Sequence, residues 1–455
     1  MKPACARAGS TSMPTSRKLF PLLLAGLAAT AAAETPLKLS LRQAVDLALS
    51  PEGSARVQLA GEVVHQAETR SAQSRAALLP NLDAYVADRN QTANLAAMGL
   101  SFHIPIPGFV FPTVIGPFST FDARVTASQT VFDFSSIRRL QAARTGVRAA
   151  QADSDGARDQ VSTQVATLYM MALAAQAHVE AAQADVDLAA ATAKLAENRK
   201  QAGTGIPIEV TRSQVELANE RQRLLVAEND LRAARLQLLR AVGLKLDTDF
   251  ELADKLDYRA APEVPVKDAV EKALAARPDW KAQQTREQNA RLSYSAVKFE
   301  RLPTLAGFAD YGTIGTGIDA ASPTRTYGVQ LRVPIFDGGR RDARRAESSS
   351  ELRQEQIKTN DLRQELELEI RLALDSLHSA EDQVKVAAEG LEQAERETAQ
   401  AQRRYAAGVA NSLEPVDAQT RLARARDNRI SALLAYSIAR INLAQATGAI
   451  RQFIQ

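Results

Sequence analysis

"RRYAAGVANSLEPVDAQTRL", residues 403–422, places Gly408, Glu414, Pro415 and Asp417 where one long alanine-rich helical pattern stops and another starts. At an offset of 205 residues the chain reads "NRKQAGTGIPIEVTRSQVEL", residues 198–217, with Gly203, Pro207 and Glu209 in nearly the same rhythm. Glycine after a helical run supplies the left-handed backbone that ends a helix, and proline is tolerated in a first turn, where its missing N–H has no intrahelical partner. Each stretch is therefore a helix–corner–helix, and the chain builds it twice.

Working outward, the duplication covers most of the chain. "RQAVDLAL" (42–49) matches "KDAVEKAL" (267–274), "LLPNLDAYVAD" (78–88) matches "RLPTLAGFADY" (301–311), and "VTASQTVFD" (125–133) matches "VQLRVPIFD" (329–337). The offset of 205 holds through Gly243 and Gly448. The first repeat, 34–243, is expected to run helix, strands about 81–89 and 121–133, a long helix about 138–200 and a helix about 208–242. Residues 244–266 read as a linker with scattered charges and prolines. The second repeat, 267–455, repeats the order with strands about 304–312 and 324–336, a long helix about 340–405 and a helix about 413–448.

The long helices carry a strict heptad. In the second copy Ile370, Leu377, Val384, Leu391, Thr398 and Tyr405 recur every seven residues, and the positions three further on are alanines from Ala373 to Ala401. Val165, Ala172, Val179, Val186 and Ala193 form the seam of the first copy. Alanine at every second core position specifies a coiled coil whose backbones approach closely. Sixty residues of helix span roughly 90 Å at about 1.5 Å per residue, too long to be buried in a globular core.

The strands alternate. Phe121, Ala123, Val125 and Ala127 fall on one face and Asp122, Arg124, Thr126 and Ser128 on the other; Tyr327, Val329, Leu331, Val333 and Ile335 oppose Gly328, Gln330 and Arg332. Such strands suit either a half-buried soluble sheet or a transmembrane barrel with a wet lumen. Four strands in one chain leave two open edges, which lipid does not tolerate, so a membrane barrel has to close with strands of other chains.

Composition narrows the class. Residues 1–33 hold Lys2, Arg7, Arg17 and Lys18 with no acid, then "LFPLLLAGLAATAAA", and read as a signal peptide ending in an A-x-A site; Met13 offers an alternative start. Without those four cations the 56 basic and 53 acidic residues become 52 against 53, so a sequence pI near 8.9 is no sign of nucleic-acid binding. The only cysteine, Cys5, lies in the leader, which leaves the mature chain without disulfide, thiol nucleophile or thiolate metal site. No nucleophile, nucleotide or metal constellation is recognisable, His65, His103, His178 and His378 lack ligand spacing, and neither an enzyme nor a cofactor is expected. "GTIGTG" (312–317) is followed by no Gly-Lys-Ser/Thr and reads as a loop between strands. The corresponding first-copy loop is about 19 residues longer and includes the apolar "FHIPIPGFVFPTVIGPF" (102–118), either packed on itself or touching lipid. Basic "RRLQAAR" (138–144) and "RRDARR" (340–345) follow the strands, on solvated faces or at a membrane edge.

Taken together, the signal peptide, the twofold element order, "LP" before the first strand of each half, "VFD" and "IFD", and above all "RRYAAGVANSLEPVDAQTRLARA" resemble the TolC-like outer-membrane efflux proteins over essentially the whole mature chain. The resemblance implies an α+β membrane protein: a two-repeat protomer of long antiparallel coiled-coil helices and four strands, trimerising into a twelve-stranded β-barrel in the outer membrane of a Gram-negative bacterium. An α-helical barrel would continue it through the periplasm. The function implied is a passive conduit of a tripartite efflux or type I secretion system, whose partners are a periplasmic adaptor, an inner-membrane transporter and outer-membrane lipid. By position, Glu209, Glu414 and Asp417 would ring the periplasmic entrance, Tyr405 would belong to the gate, and Gly203 and Gly408 would keep the corners thin enough for adaptor docking. Where the family's name-giving channel carries an arginine that helps lock the closed mouth, this chain has Ala410. From the residues alone, the carboxylates are equally explained as first-turn complements of helix dipoles. A periplasmic adaptor with a coiled-coil hairpin is the alternative function, although it would carry one hairpin rather than two.

Overall fold

The computed structural model describes residues 37–100, 108, 112–260, 262 and 264–454. The leader with Cys5 and most of the apolar loop, at 102–107 and 109–111, lie outside the described residues. The first repeat contains β1 (Leu37–Leu39), α1 (Leu41–Leu49), α2 (Ala55–Ala76), β2 (Asn81–Asn94), β3 (Val114–Phe132), α3 (Phe134–Gln201) and α4 (Pro207–Val242). After β4 (Phe250–Leu252), the second contains α5 (Val266–Ala276), α6 (Pro278–Phe299), β5 (Thr304–Gly315), β6 (Ser322–Arg332), α7 (Arg340–Ala406) and α8 (Leu413–Ala446), closed by α9 (Ile450–Ile454).

The "VFD" and "IFD" triplets convert strand into helix. Asp133 accepts a hydrogen bond from Ser135 N at 2.9 Å, capping α3, and Asp337 accepts from Arg341 N at 3.1 Å in the first turn of α7. From there α3 runs for 68 residues and α7 for 67, roughly 100 Å each at about 1.5 Å per residue. Their heptad seams are the packed faces: Ile370, Leu377, Val384, Leu391, Thr398 and Tyr405 are all buried. Near the sheet α2, α3, α6 and α7 lie side by side, and beyond the mid-section the order is α4, α3, α8, α7. The outer helices of that layer expose apolar residues at helical spacing: Ile208, Val215, Val226 and Leu236 on α4, and Ile357, Leu368, Leu372 and Val386 on α7.

The four-stranded sheet is antiparallel in the order β2-β3-β5-β6, so the two repeats join through β3 and β5, and β2 and β6 are open edges. Register separates its faces cleanly. Leu82, Val86, Val125, Tyr311, Tyr327, Val329 and Leu331 are exposed on one face. On the other, Arg124 lies between Asp122 (2.7 Å) and Asp310 (3.3 Å), and Tyr85 Oη donates to Asp122 at 3.1 Å.

The main core sits at the mid-section, where α1, the middle of α3, the end of α4, the β1–β4 pair and α9 meet. The fully buried Tyr169 organises it. Its hydroxyl lies 2.7 Å from Asp254 Oδ2 and 2.9 Å from Leu39 O, and the same carboxylate accepts from Leu41 N at 3.0 Å.

Several boundaries differ from expectation. Stretch 244–266, read as a linker, contributes β4, which pairs in parallel with β1 because Phe250 and Leu39 bury against the same core. The strand expected over 324–336 ends at Arg332: its partner β5 begins at Thr304, paired with Arg332, and Pro334 has no N–H to extend a ladder. The strand expected from 121 begins at Val114, so 114–118 of the apolar loop is strand, held by β2 to its end at Asn94. The single leading helix of each repeat is two helices, broken around Pro51–Gly53 and at Arg277–Pro278. Among the described residues no helix is long and apolar enough to cross a membrane.

Candidate functional site

Both helix corners lie at the end of the helices far from the sheet, and they close on each other within one chain. In the first corner Gly203 has φ +74°, Gly203 N donates to Lys200 O at 3.0 Å, and Thr204 N to Arg199 O at 2.9 Å. In the second Gly408 has φ +77°, with Gly408 N donating to Tyr405 O at 3.0 Å and Val409 N to Arg404 O at 3.1 Å. These bonds satisfy carbonyls that the last helical turns leave without partners. Pro207 opens α4, and Asn411 Oδ1 accepts from Leu413 N at 3.0 Å as α8 starts.

Three side chains of the first corner reach into the second. Arg199 Nη1 donates to Tyr405 O at 2.9 Å, and its guanidinium lies 4.6 Å from the centroid of the Tyr405 ring. Glu209 Oε1 accepts from Ser412 N at 3.4 Å, and Glu209 Oε2 lies 3.5 Å from Tyr405 Oη. Arg212 Nη1 donates to Ser412 Oγ at 3.3 Å. Glu209 is 7% exposed, Tyr405 1% and Ser412 0%. Burial holds the Tyr405 hydroxyl above its ordinary pKa, the Glu209 carboxylate raises it further, and Arg199 opposes both, so the phenol stays protonated as a donor.

The three carboxylates named from the sequence are thus in different surroundings. Glu209 points into the seam between the corners. Glu414 is half-buried and pairs with Arg404 at 2.8 Å. Asp417 is exposed, one turn before Arg421, which binds Glu397 at 2.7 Å. Ala410 is half-buried and offers no polar side chain, and the cation against Tyr405 is Arg199. Arg199, Arg212 and Ser412 were not singled out from the sequence. The offset of 205 equates Arg199 with Arg404, Glu209 with Glu414 and Arg212 with Asp417, so an attentive comparison of the two corners would have flagged all three pairs. In the second corner Arg404 and Glu414 bind each other; in the first, Arg199 and Glu209 separate to hold Tyr405.

Below the corners, buried polar contacts link the hairpins. Gln419 Nε2 donates to Thr192 Oγ1 at 2.6 Å across the two hairpins, while within the second hairpin Thr398 Oγ1 donates to the carbonyl of Ala418 at 3.2 Å. Further up, a cavity of about 800 Å3 between α3, α4 and α8 is lined by His178, Asp185, Glu220, Arg223 and Asp427. His178 Nδ1 lies 3.2 Å from Asp427, Arg426 binds Asp185, and Arg223 binds Glu220 at 2.7 Å. Burial raises the pKa values of both Glu220 and Asp185, against the arginine beside each. Among the described residues no group of three or more His, Cys, Asp or Glu could hold a metal ion. Nothing in these groups sets a nucleophile against a base. What the arrangement provides is a charged helical tip whose two corners are bridged by side chains.

Comparison with known proteins agrees with this architecture. The family model described as outer membrane efflux protein matches residues 53–244 and 269–449, both repeats. The pyoverdine export outer membrane protein OpmQ of Pseudomonas putida is 26% identical over 342 residues, 72% of this chain and 71% of that protein. The Campylobacter jejuni CmeC outer membrane channel is 16% identical with a TM-score of 0.76, covering 98% of this chain and 95% of that one. The open state of the Neisseria gonorrhoeae MtrE outer membrane channel is 17% identical with a TM-score of 0.74, covering 90% and 88%. With most of both repeats matched, the chain belongs to the outer membrane efflux protein family and is an outer-membrane protein.

Proposed function

We propose that the chain forms a homotrimeric conduit through which a tripartite efflux or type I secretion system passes its cargo across the outer membrane. One observation carries closure into a ring of chains: the sheet and the helical layer are both open at matching edges. β2 and β6 present unpaired backbone, and α4 and α7 present unpartnered apolar stripes. Ring closure of chains side by side satisfies all four edges at once, and a barrel edge left open in lipid costs several kcal/mol for each bare group. Three chains give a twelve-stranded barrel above a tube of helices, its exposed apolar face toward lipid and the Asp122–Arg124–Asp310 face toward a wet lumen.

In this reading the paired corners are the periplasmic mouth. Glu414 and Asp417 of each chain supply its carboxylates, Glu209 and Arg199 latch Tyr405 in the closed state, and the thin turns at Gly203 and Gly408 are grasped by a periplasmic adaptor that brings the inner-membrane transporter. The adaptor alternative has no comparable support: among the described residues there are two equivalent hairpins beside one four-stranded sheet and the short β1–β4 pair.

The test uses planar bilayers. Purified protein should insert as a trimer and conduct, with cation preference and block by multivalent cations that fall in Glu414→Ala/Asp417→Ala. Unchanged selectivity in the double variant removes those carboxylates from the mouth. A chain that neither trimerises nor conducts refutes the conduit.

A further inference from the structure

The strand feet carry features that transport does not use. Phe132, Leu305 and Leu331 stand in cross-strand register at the helical end of the sheet's apolar face. With Phe134, Leu302 and Pro303 they line a pocket of about 310 Å3, built by both repeats of one chain. Phe121 stands on the same face eleven residues of β3 from Phe132, roughly 36 Å along the strand at about 3.3 Å per residue and so roughly 28 Å in height at a barrel tilt of about 40°, with Tyr311 between them, so aromatic side chains bracket the apolar band. That height fits the apolar band of an outer-membrane barrel, about 25 Å with aromatic girdles at both interfaces. The pocket therefore sits where acyl chains meet headgroups on the periplasmic side.

Cations surround it. Phe134 lies 5.9 Å from Phe299, and the Arg138 guanidinium lies 5.8 Å from the Phe299 ring. Arg138 bonds only Gln141, at 2.8 Å, and the exposed Lys298 beside Phe299 has no acid partner among the described residues. Arg139 and Arg344 share the single carboxylate of Glu300. Positive charge is thus in excess beside an apolar hole at the level of lipid phosphates.

We propose that this foot is a binding site for an anionic phospholipid of the periplasmic leaflet, an acyl chain filling the Phe132–Phe134–Leu302 pocket and the phosphate resting between Arg138 and Lys298. The inference rests on the outer-membrane barrel reading of the sheet. A bound lipid of this kind would seal the junction where the barrel strands give way to helices, below the last β5–β6 pair, Thr304 with Arg332.

Full-length protein in neutral detergent is titrated with phosphatidylglycerol or phosphatidylcholine and the bound lipid is counted by native mass spectrometry. Phosphatidylglycerol should bind more tightly, and Arg138→Ala/Lys298→Ala should weaken it by at least tenfold, from about fivefold per interfacial cation. Arg138→Lys, which preserves the charge, should retain most of the preference, and Phe134→Ala should weaken both lipids. Equal affinity for the two lipids, or an unchanged preference in the double variant, overturns the site. Displacement of phosphatidylglycerol by lipid A with the same Arg138 dependence overturns the assignment to a phospholipid. Conductance of the same samples in phosphatidylcholine bilayers separates the two ideas: conduction without lipid preference sinks only the lipid site, and lipid preference without conduction sinks only the conduit.

Discussion

Arg199→Ala isolates the bridge between the corners. It removes a 2.9 Å hydrogen bond from a charged donor to Tyr405 O and a cation resting 4.6 Å from the Tyr405 ring, while leaving the helix termini of the first corner bonded through the backbone. A hydrogen bond of this type contributes about 1.5–3 kcal/mol and a half-desolvated cation–π contact about 0.5–2 kcal/mol; because both act on one residue and do not add fully, a loss of about 2–4 kcal/mol is expected. Tyr405→Phe removes only the hydroxyl, whose contact to Glu209 is long at 3.5 Å, and should cost about 0.5–1 kcal/mol. Amide hydrogen exchange over 405–413 reads the local opening. Arg199→Ala should speed it by roughly thirty- to several-hundred-fold, Tyr405→Phe by only about two- to fivefold, at one tenfold per 1.4 kcal/mol. In planar bilayers the same order should hold for open probability. If Tyr405→Phe loosens the tip as much as Arg199→Ala, or if Arg199→Ala leaves exchange unchanged, the bridge is not what closes the corners.

Three further outcomes follow from the geometry. Gly203→Ala and Gly243→Ala face similar backbone angles, φ +74° and +87°, but a Cβ at Gly203 meets open space and one at Gly243 meets the backbone of Gly53 at 2.8 Å; thermal unfolding should therefore show a loss of about 1–2 kcal/mol for the first and a clearly larger one for the second. Glu220 has a raised pKa because burial disfavours its charged form, so its contribution is favourable at low pH and is lost as pH rises through the folded pKa; Glu220→Gln should raise the melting temperature at pH 7 and lose that gain near pH 4, measured in parallel melts. Val86→Arg, on the exposed apolar face of β2, should cost about 2–4 kcal/mol and impair outer-membrane insertion, whereas Thr126→Lys on the opposite face should insert normally, as read by membrane fractionation.

Local patterns carried most of the architecture. Period-two alternation and period-seven spacing depend only on near neighbours, so the strands, the coiled-coil helices and the glycine corners were legible without knowing what they touch. Boundaries were less so where a partner decides them: β6 stops at Arg332 because β5 begins there, and β4 forms because β1 lies alongside. The resemblance located Tyr405 and the corner carboxylates as one group but could not say which of them faces the seam.

That last choice shows where sequence and tertiary structure divide. The sequence by itself determined a duplicated strand-and-helix unit, two acidic corners and helices too long for a globular core, since each follows from spacing within one segment. The tertiary structure decided that Arg199 and Glu209 reach across to Tyr405 while their equivalents Arg404 and Glu414 bind each other. Two chemically identical pairs at an offset of 205 have the same local preferences. Only the packing of one hairpin against the other gives the first pair a buried tyrosine and a bare Ser412 amide to satisfy, and leaves the second pair to meet across its own turn.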